Sequence, residues 1–465
     1  MYGIATFFLD LVAGMEVVTE STAHTVFGWP PLVVATSVFV LSYAAIIADK
    51  VNRAIVALLG AALAVGLGVV TQEQAIRGVD FNTIGLLTGM MVLVGVTKDS
   101  GIFQFLAIKS AKMAKGSPWG ILVMLSIITA VLSAFLDNVT TVLLVAPVTL
   151  LIADELRISP YPLLFAEINA SNSGGTATLI GDPPNIMIGS AAHLTFNDFI
   201  LHLTPLIIVV FAVTLVPLWL IYGRHLSVSP QARERVMAFN EYAAIRDVRL
   251  LKQSLTVFGL VILGFVLAHP LHLEPATIAL GGAALLLLLV TLGAGQEEAS
   301  HQLHEFFTRV EWVTIFFFIG LFIIVAGVEH AGLLKLMAEW TLSFTGGDFA
   351  VTTMVVLWVS AVLSSIIDNI PFVATMIPMI KDMLPAFQAA GVPPHQLEGL
   401  WWALAAGACL GGNGTLIGAS ANLIVAGIAE RSGVPIRFLP FLKVAFPLML
   451  LQVGISAFYV WWRYL

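Results

Sequence analysis

The sequence predicts an all-α polytopic membrane protein built from two inverted repeats, and three observations carry that prediction. Of 465 residues, 59% are hydrophobic and 11% charged, too little charge to cover the surface of a water-soluble protein of this size. Two blocks recur in order: LSAFLDNVTTVLLVAP (132–147) returns as LSSIIDNIPFVATMIP (363–378), and GGTATLIGDPPNIMI (174–188) as GGNGTLIGASANLIV (411–425). Each half also holds about five segments of spanning length. An odd number makes the halves enter the bilayer from opposite sides, which gives about 10 transmembrane helices, or 11 if the N-terminal segment also spans.

Residues 1–29 contain Asp10, Glu16 and Glu20 but no Lys or Arg, so the basic start of a signal peptide is missing. An interfacial or extra helix is expected there. The first repeat is read as 30–222. It opens with apolar runs at 31–48, 52–70 and 82–97, each near the roughly 20 residues a span needs. Residues 102–116 set three lysines against apolar positions, which suits a helix lying in the interface. Segments 119–136 and 139–153 are separated only by Asp137-Asn138 and read as a re-entrant hairpin (119–153) with its tip at mid-membrane. The run 161–190 is interrupted by Gly174-Gly175, Gly181 and Pro183-Pro184. Those residues free backbone groups that hydrocarbon cannot satisfy, so a helix broken at a cavity is expected. A span at 199–222 leads into a linker at 223–253.

The second repeat, 254–465, follows the same plan. VNRAIVALLGAAL (51–63) matches LEPATIALGGAAL (273–285), and the run 79–101 matches 310–332, pairing Asp80 with Glu311 and Thr83 with Thr314. Spans are expected at 254–268, 275–292 and 312–328, then an interfacial stretch at 330–345. A second re-entrant hairpin (351–385), a second broken helix (399–428) and a last span (442–462) complete the half. If the linker is cytoplasmic, only Arg77, Lys335, Lys381 and Arg463 of the 21 basic residues fall outside. That is a strong positive-inside bias, and it supports the inverted orientation. Inverted repeats with discontinuous helices are the architecture of secondary transporters, which bind cargo near the midplane. No phosphate-binding loop signature is present, so an ion gradient or a separate ATPase subunit would supply the energy. Enzymatic catalysis, a metal centre and nucleic-acid partners are not expected.

Asp137 and Asp368 are the first site candidates. A carboxylate at membrane depth costs at least ~2.5–3.5 kcal/mol to insert, so it must be neutral, paired or bound to a cation. Each could instead simply cap the second helix of its hairpin. Asn138, Asn369, Asn185 and Asn422 offer amide donors and acceptors at matching places. Thr140, Thr141, Thr176, Thr178 and Thr415 add hydroxyls. Gly175, Gly181, Gly412 and Gly418 let the backbone come close to a ligand. The halves differ: Asp182 stands opposite Ala419, Thr140-Thr141 opposite Pro371-Phe372, and Thr176 opposite Asn413. The first half is the more acidic and is favoured for ion coupling. Glu167, followed by Asn169, is a further proton-site candidate. Cys409, the sole cysteine, reads as packing. Between residues 118 and 190 the one basic residue is Arg157, and between 349 and 427 it is Lys381, so no basic side chain is expected near the hairpin tips.

These runs resemble the ion transporter superfamily, in particular its arsenite-permease and NhaD-type branch, and are similar to melanosomal P-protein-like sequences in DNVTT, GGTATLIGDPPN, SSIIDNIPFVATMIP and ACLGGNGTLIGASAN. The resemblance covers the chain from about residue 30. It implies an elevator-type secondary transporter, a homodimer in the lipid bilayer of a prokaryotic inner membrane, and proton-coupled efflux of arsenite or antimonite. The dicarboxylate branch carries Ser-Asn-Thr at its hairpin tips. Here those positions begin Asp137-Asn138 and Asp368-Asn369, which would repel a dicarboxylate. An Na+/H+ antiporter, with Na+ or H+ on Asp137, Asp182 and Asp368, is the alternative. A P-protein-like anion transporter or channel is a third reading. No cofactor beyond a coupling H+ or Na+ is implied.

Overall fold

The computed structural model describes Thr25, residues 28–48 and residues 50–465. The expected helix within 1–29 therefore falls outside the described residues, apart from Thr25, Gly28 and Trp29. Every regular element among the described residues is helical. Among the described residues, nine helices are long and apolar enough to cross a bilayer; Arg53–Gly66, Pro275–Thr291 and Phe349–Ser364 are shorter apolar helices. Outside the hairpins, the described residues of each half form four continuous apolar helices and one broken helix. In the first half these are Pro31–Ala48, Arg53–Gly66, Phe81–Lys98 and Thr204–Ile221, with the break between Tyr161–Thr176 and Pro183–Ala192. In the second they are Val248–Val266, Pro275–Thr291, Trp312–His330 and Phe438–Tyr464, with the break between Pro394–Gly411 and Ser420–Arg431. The linker is not bare loop. It carries a helix at Pro230–Met237, and the next long helix begins at Val248.

Two bodies emerge from the packing. In the first, helices of opposite halves interlock: Phe81–Lys98 lies against Pro275–Thr291, and Trp312–His330 against Arg53–Gly66. Small residues make this possible. A Cβ at Gly89 would meet the Ala279 carbonyl carbon at 2.6 Å, and one at Gly320 would meet that of Ala57 at 2.5 Å. Gly89 and Gly320 are equivalent in the repeat, as are Ala57 and Ala279, so the contact occurs twice with the halves exchanged. Gly101 (φ 81°) and Gly332 (φ 86°) open the equivalent helices Ile102–Met113 and Leu333–Phe344 in the left-handed region, where glycine is favoured.

The second body holds the hairpins and broken helices. The arm Pro118–Phe135 lies along Tyr161–Thr176, and Phe349–Ser364 along Pro394–Gly411. Ser133 Oγ donates to Ser171 O at 2.7 Å, and its equivalent Ser364 Oγ donates to Ala408 O at 2.6 Å. Ser117 caps the first arm with Pro118 at its first turn, where a missing N–H costs nothing. Each return arm, Asn138–Leu156 and Asn369–Ala389, carries a proline at the same repeat position, Pro147 and Pro378.

Candidate functional site

Both aspartates at the tips cap their return arms, but with different side commitments. Asp137 Oδ1 accepts from the Thr140 amide at 2.8 Å, and Thr140 Oγ1 donates to Oδ2 at 2.5 Å. Asp368 Oδ1 accepts from the Ile370 amide at 3.1 Å, which leaves Oδ2 free for Arg53 at 3.0 Å and Ser420 Oγ at 2.7 Å. Arg53 Nη1 also donates to Ser420 Oγ at 2.6 Å. A basic residue thus does stand at a hairpin tip, contrary to the expectation from the hairpin sequences. It comes from the interlocked body, far away in the chain.

The breaks are held shut by their own asparagines. Asn185 Nδ2 donates to the Gly175, Thr176 and Thr178 carbonyls at 3.3, 3.1 and 2.9 Å. Asn422 Nδ2 reaches the Gly412 and Thr415 carbonyls, both at 2.8 Å. Carbonyls released by the missing helical turn find donors this way. Thr178 Oγ1 donates to Ala134 O, and Thr415 Oγ1 to Ser365 O at 2.5 Å, tying each break to its hairpin. Thr176 Oγ1 bonds back to Asn172 O at 2.7 Å. Gly181 and Gly418 pack against Gly175 and Gly412: a Cβ at either would lie 2.7 or 2.8 Å from the facing carbonyl oxygen. These residues shape the site, and their polar groups are already engaged. The Thr141 hydroxyl is buried without a partner.

Asp182 is where the two halves meet. Its carboxylate accepts from Asn138 Nδ2 at 3.2 Å and, from the other hairpin, from Asn369 Nδ2 at 3.3 and 3.4 Å. Asp182 is 1% exposed. The Cys409 thiol, expected to be packing alone, adjoins this carboxyl and donates to Asn185 Oδ1 at 3.5 Å. Asn172 occupies the repeat position of Cys409 and makes the mirror contact, Nδ2 to Asn422 Oδ1 at 2.9 Å. It also donates to Asn413 Oδ1 at 3.0 Å, and a buried line runs on through Gln452 to Thr214. Asn172 was not singled out from the sequence, although its alignment with Cys409 was available as a signal.

A cavity of about 30 Å³ opens on this junction, enough for one water-sized guest. Asp137, Asn138, Asp182 and Asn369 line it together with Arg53, Glu311, Thr314 and Ser420. Glu311 also escaped the sequence reading as a site residue, although its pairing with Asp80 was recognised. Glu167 lies elsewhere, inside the first hairpin's packing, where Thr149 Oγ1 donates to its carboxylate.

Two hairpins and two broken helices closing on a buried acidic centre define a membrane transporter, integral to the bilayer through its apolar helices. The citrate transporter family profile matches residues 43–407, and the chain belongs to that family. An uncharacterized transporter of Mycobacterium tuberculosis is 44% identical over 437 residues, spanning 93% of this chain and 98% of the relative. The P protein of Homo sapiens is 35% identical over 92% of this chain, which covers 59% of that longer protein. Among solved structures, the Alcanivorax borkumensis YdaH transporter superposes with a TM-score of 0.55 at 15% identity, over 93% of this chain and 98% of the other. MtrF of Neisseria gonorrhoeae gives 0.55 at 12% identity, over 97% of each chain. At such identities the two structures attest the fold alone. The superfamily resemblance is upheld, while the matching profile is that of citrate transporters rather than of the arsenite-permease branch.

Proposed function

We propose that this protein is a cation-coupled secondary transporter in which H+ or Na+ bound at Asp182 drives a small uncharged oxyacid such as arsenite across the bacterial plasma membrane, with the linker on the cytoplasmic side. The observation that carries the reading is the Asp182 carboxylate, buried where both hairpin tips and the first break meet. Two amides and a thiol surround it, and no basic side chain among the described residues pairs with it. An uncompensated carboxylate is expensive in such a place, so a proton or metal cation is its natural companion. Asp137 and Glu311 add negative potential around the same cavity. A neutral trihydroxide meets no electrostatic barrier there; to seat it, the water-sized cavity must widen and the lining amide and hydroxyl groups must exchange their present partners for its oxygens.

Arg53 favours a second reading. A guanidinium beside the cavity is the side chain best shaped to grip a carboxylate, and the family to which the chain belongs is named for citrate. Citrate would have to displace Asp368 from Arg53 and bring cations to offset Asp137, Asp182 and Glu311.

Purified protein in liposomes, given arsenite, citrate or sodium in turn under an imposed pH gradient, separates the readings. Arsenite-dependent proton flux that Asp182→Asn abolishes is the expected result. Proton flux dependent on citrate selects the second reading, and sodium-dependent flux indifferent to both solutes selects an antiporter. An Asp182→Asn protein with unchanged cation dependence refutes the role of Asp182.

A further inference from the structure

We infer that Glu167 is a second proton-binding carboxyl, carried inside the first hairpin's body and separate from the Asp182 cavity. The inference rests on the cation-coupled reading above. Its support comes from comparing the two halves residue by residue. Glu167 sits on Tyr161–Thr176 facing the return arm Asn138–Leu156, where Thr149 Oγ1 donates to one carboxylate oxygen. The other oxygen is buried and has no partner, and the residue is 1% exposed. The Thr141 hydroxyl, two turns from Thr149 on the same arm, and Asn169 Oδ1 are likewise buried without partners.

The second half builds the same packing without any of these groups. At the positions of Thr141, Thr149, Glu167 and Asn169 stand Phe372, Ile380, Leu404 and Ala406, all buried. The arm and the broken helix therefore pack well with apolar side chains, and the fold does not require a carboxyl here. A buried polar group with unmet hydrogen-bonding capacity is costly unless something else occupies it. A proton is the smallest occupant, and it turns the bare oxygen into a neutral hydroxyl.

Few other charges reach this place. Pro118–Phe135 and Thr204–Ile221, both packed on the same helix, contain no ionisable side chain. Asn138–Leu156 has Asp154 and Glu155 in its last turn, and Ser420–Arg431 has Glu430 and Arg431 at its end. Pro394–Gly411 contributes His395 and Glu398 near its start and Cys409 near the break. Tyr161 lies at the far end of the same helix, against Tyr222. The route toward Asp182 is short and polar: Ser171, one turn along from Glu167, donates to Asn138 O at 3.0 Å, and Asn138 donates to Asp182. Ser171 too is apolar in the second half, where Ala408 replaces it.

The test uses whole protein in liposomes and in detergent. Infrared difference spectra across a pH titration should show the C=O stretch of a buried protonated carboxyl that disappears in Glu167→Gln and persists in Asp182→Asn. In counterflow with arsenite or citrate, whichever the liposome assay accepts, Glu167→Gln should exchange cargo within about twofold of wild type. Its proton-to-cargo ratio, read from the reversal potential, should fall by one. Glu167→Leu combined with Thr149→Ile copies the second half's packing, guards against misfolding and should behave the same way. A band unaffected by Glu167→Gln, a ratio unchanged in both variants, or exchange lost in both assigns the carboxyl to structure and overturns the inference. Loss of coupling in neither Asp182→Asn nor the Glu167 variants counts instead against the cation-coupled reading itself.

Discussion

Arg53 and Asp368 are 315 residues apart in the chain and 3.0 Å apart in space, and they tie the interlocked body to the tip of the second hairpin. The tie has no counterpart in the other half, since Pro275 occupies the repeat position of Arg53 and Asp137 spends both oxygens on its own cap. In a transporter whose hairpin-bearing body alternates between two positions, as the proposed function requires, a contact present on one side only favours one of them. Removing Arg53 should shift that balance by about 1–2 kcal/mol, a factor of roughly 5–30. With Cys409 replaced by Ser, a cysteine at Val139 in the cavity wall should change its thiol-labelling rate by that factor in Arg53→Ala. Adding Asp368→Asn to Arg53→Ala should change the rate little further, because the tie is already broken. Identical rates in all three proteins would dispose of the tie.

Asp137 and Asp368 can be separated as caps and as charges. Asn is as good an N-cap as Asp, and Ala costs about 1 kcal/mol. Asp137→Asn should therefore melt within a degree or two of wild type in detergent, whereas Asp137→Ala melts lower. If Asp137→Asn keeps its fold and still transports normally, that carboxylate is only a cap.

The close approaches at Gly89 and Gly320 leave no room for a side chain. Leu at either position should destabilise by about 1–3 kcal/mol or more through overpacking. Leu at Gly259 or Gly281, where no atom would lie within 4 Å of a new Cβ, should be tolerated. Thermal unfolding of the four variants checks this, and equal melting temperatures would contradict the interlock.

Asn185 and Asn422 each donate to carbonyls at a break, and a carboxylate cannot donate. Asn185→Asp and Asn422→Asp should each leave buried carbonyls unmet, at about 1–3 kcal/mol apiece. Reduced yield of folded protein is the readout, and Asn185→Asp should suffer more because three carbonyls lose their donor rather than two.

Outside the membrane, Lys112 reaches into the linker, donating to Glu241 at 2.5 Å and to Phe239 O at 2.9 Å. The hydrogen bond and charge of Lys112 hold the Glu241 carboxyl below its usual range. The stabilisation is thus present above the ordinary Glu pKa and fades as pH falls through the depressed value. Proteolysis of the 223–253 linker should therefore accelerate as wild type is acidified through that range, whereas Lys112→Met should be cleaved rapidly already at neutral pH and lack the acid-dependent step. The same onset in both proteins would show that the contact does not hold the linker.

Much of this architecture could be read from the chain because it is written twice. The spacing of DNV to TLIG and of DNI to TLIG marks hairpin and break in each half, and helix ends fall within a few residues of those expected. The site was legible where its residues lie inside the repeated runs, as Asp182, Asn138 and Asn369 do. Arg53 was invisible because a search confined to the hairpins cannot see a side chain delivered from the other body. Asn172 was hidden for the opposite reason: it lies within the duplicated region but just outside the run from Gly174 that is most alike in the two halves, and a cysteine stands at its repeat position. The roles of Asn185 and Thr178 also needed coordinates, since an amide bound to backbone and one waiting for a ligand look alike in sequence.

The exchanged glycine contacts, Gly89 with Ala279 and Gly320 with Ala57, bear on how the protein is made. Neither half can complete its own helix packing, because each supplies the groove that the other half fills. The first repeat must wait in the bilayer, its glycine faces open, until the ribosome has delivered Pro275–Thr291 and Trp312–His330. Two genes encoding residues 1–240 and 241–465 should therefore yield unstable fragments when expressed singly and a functional transporter when expressed together.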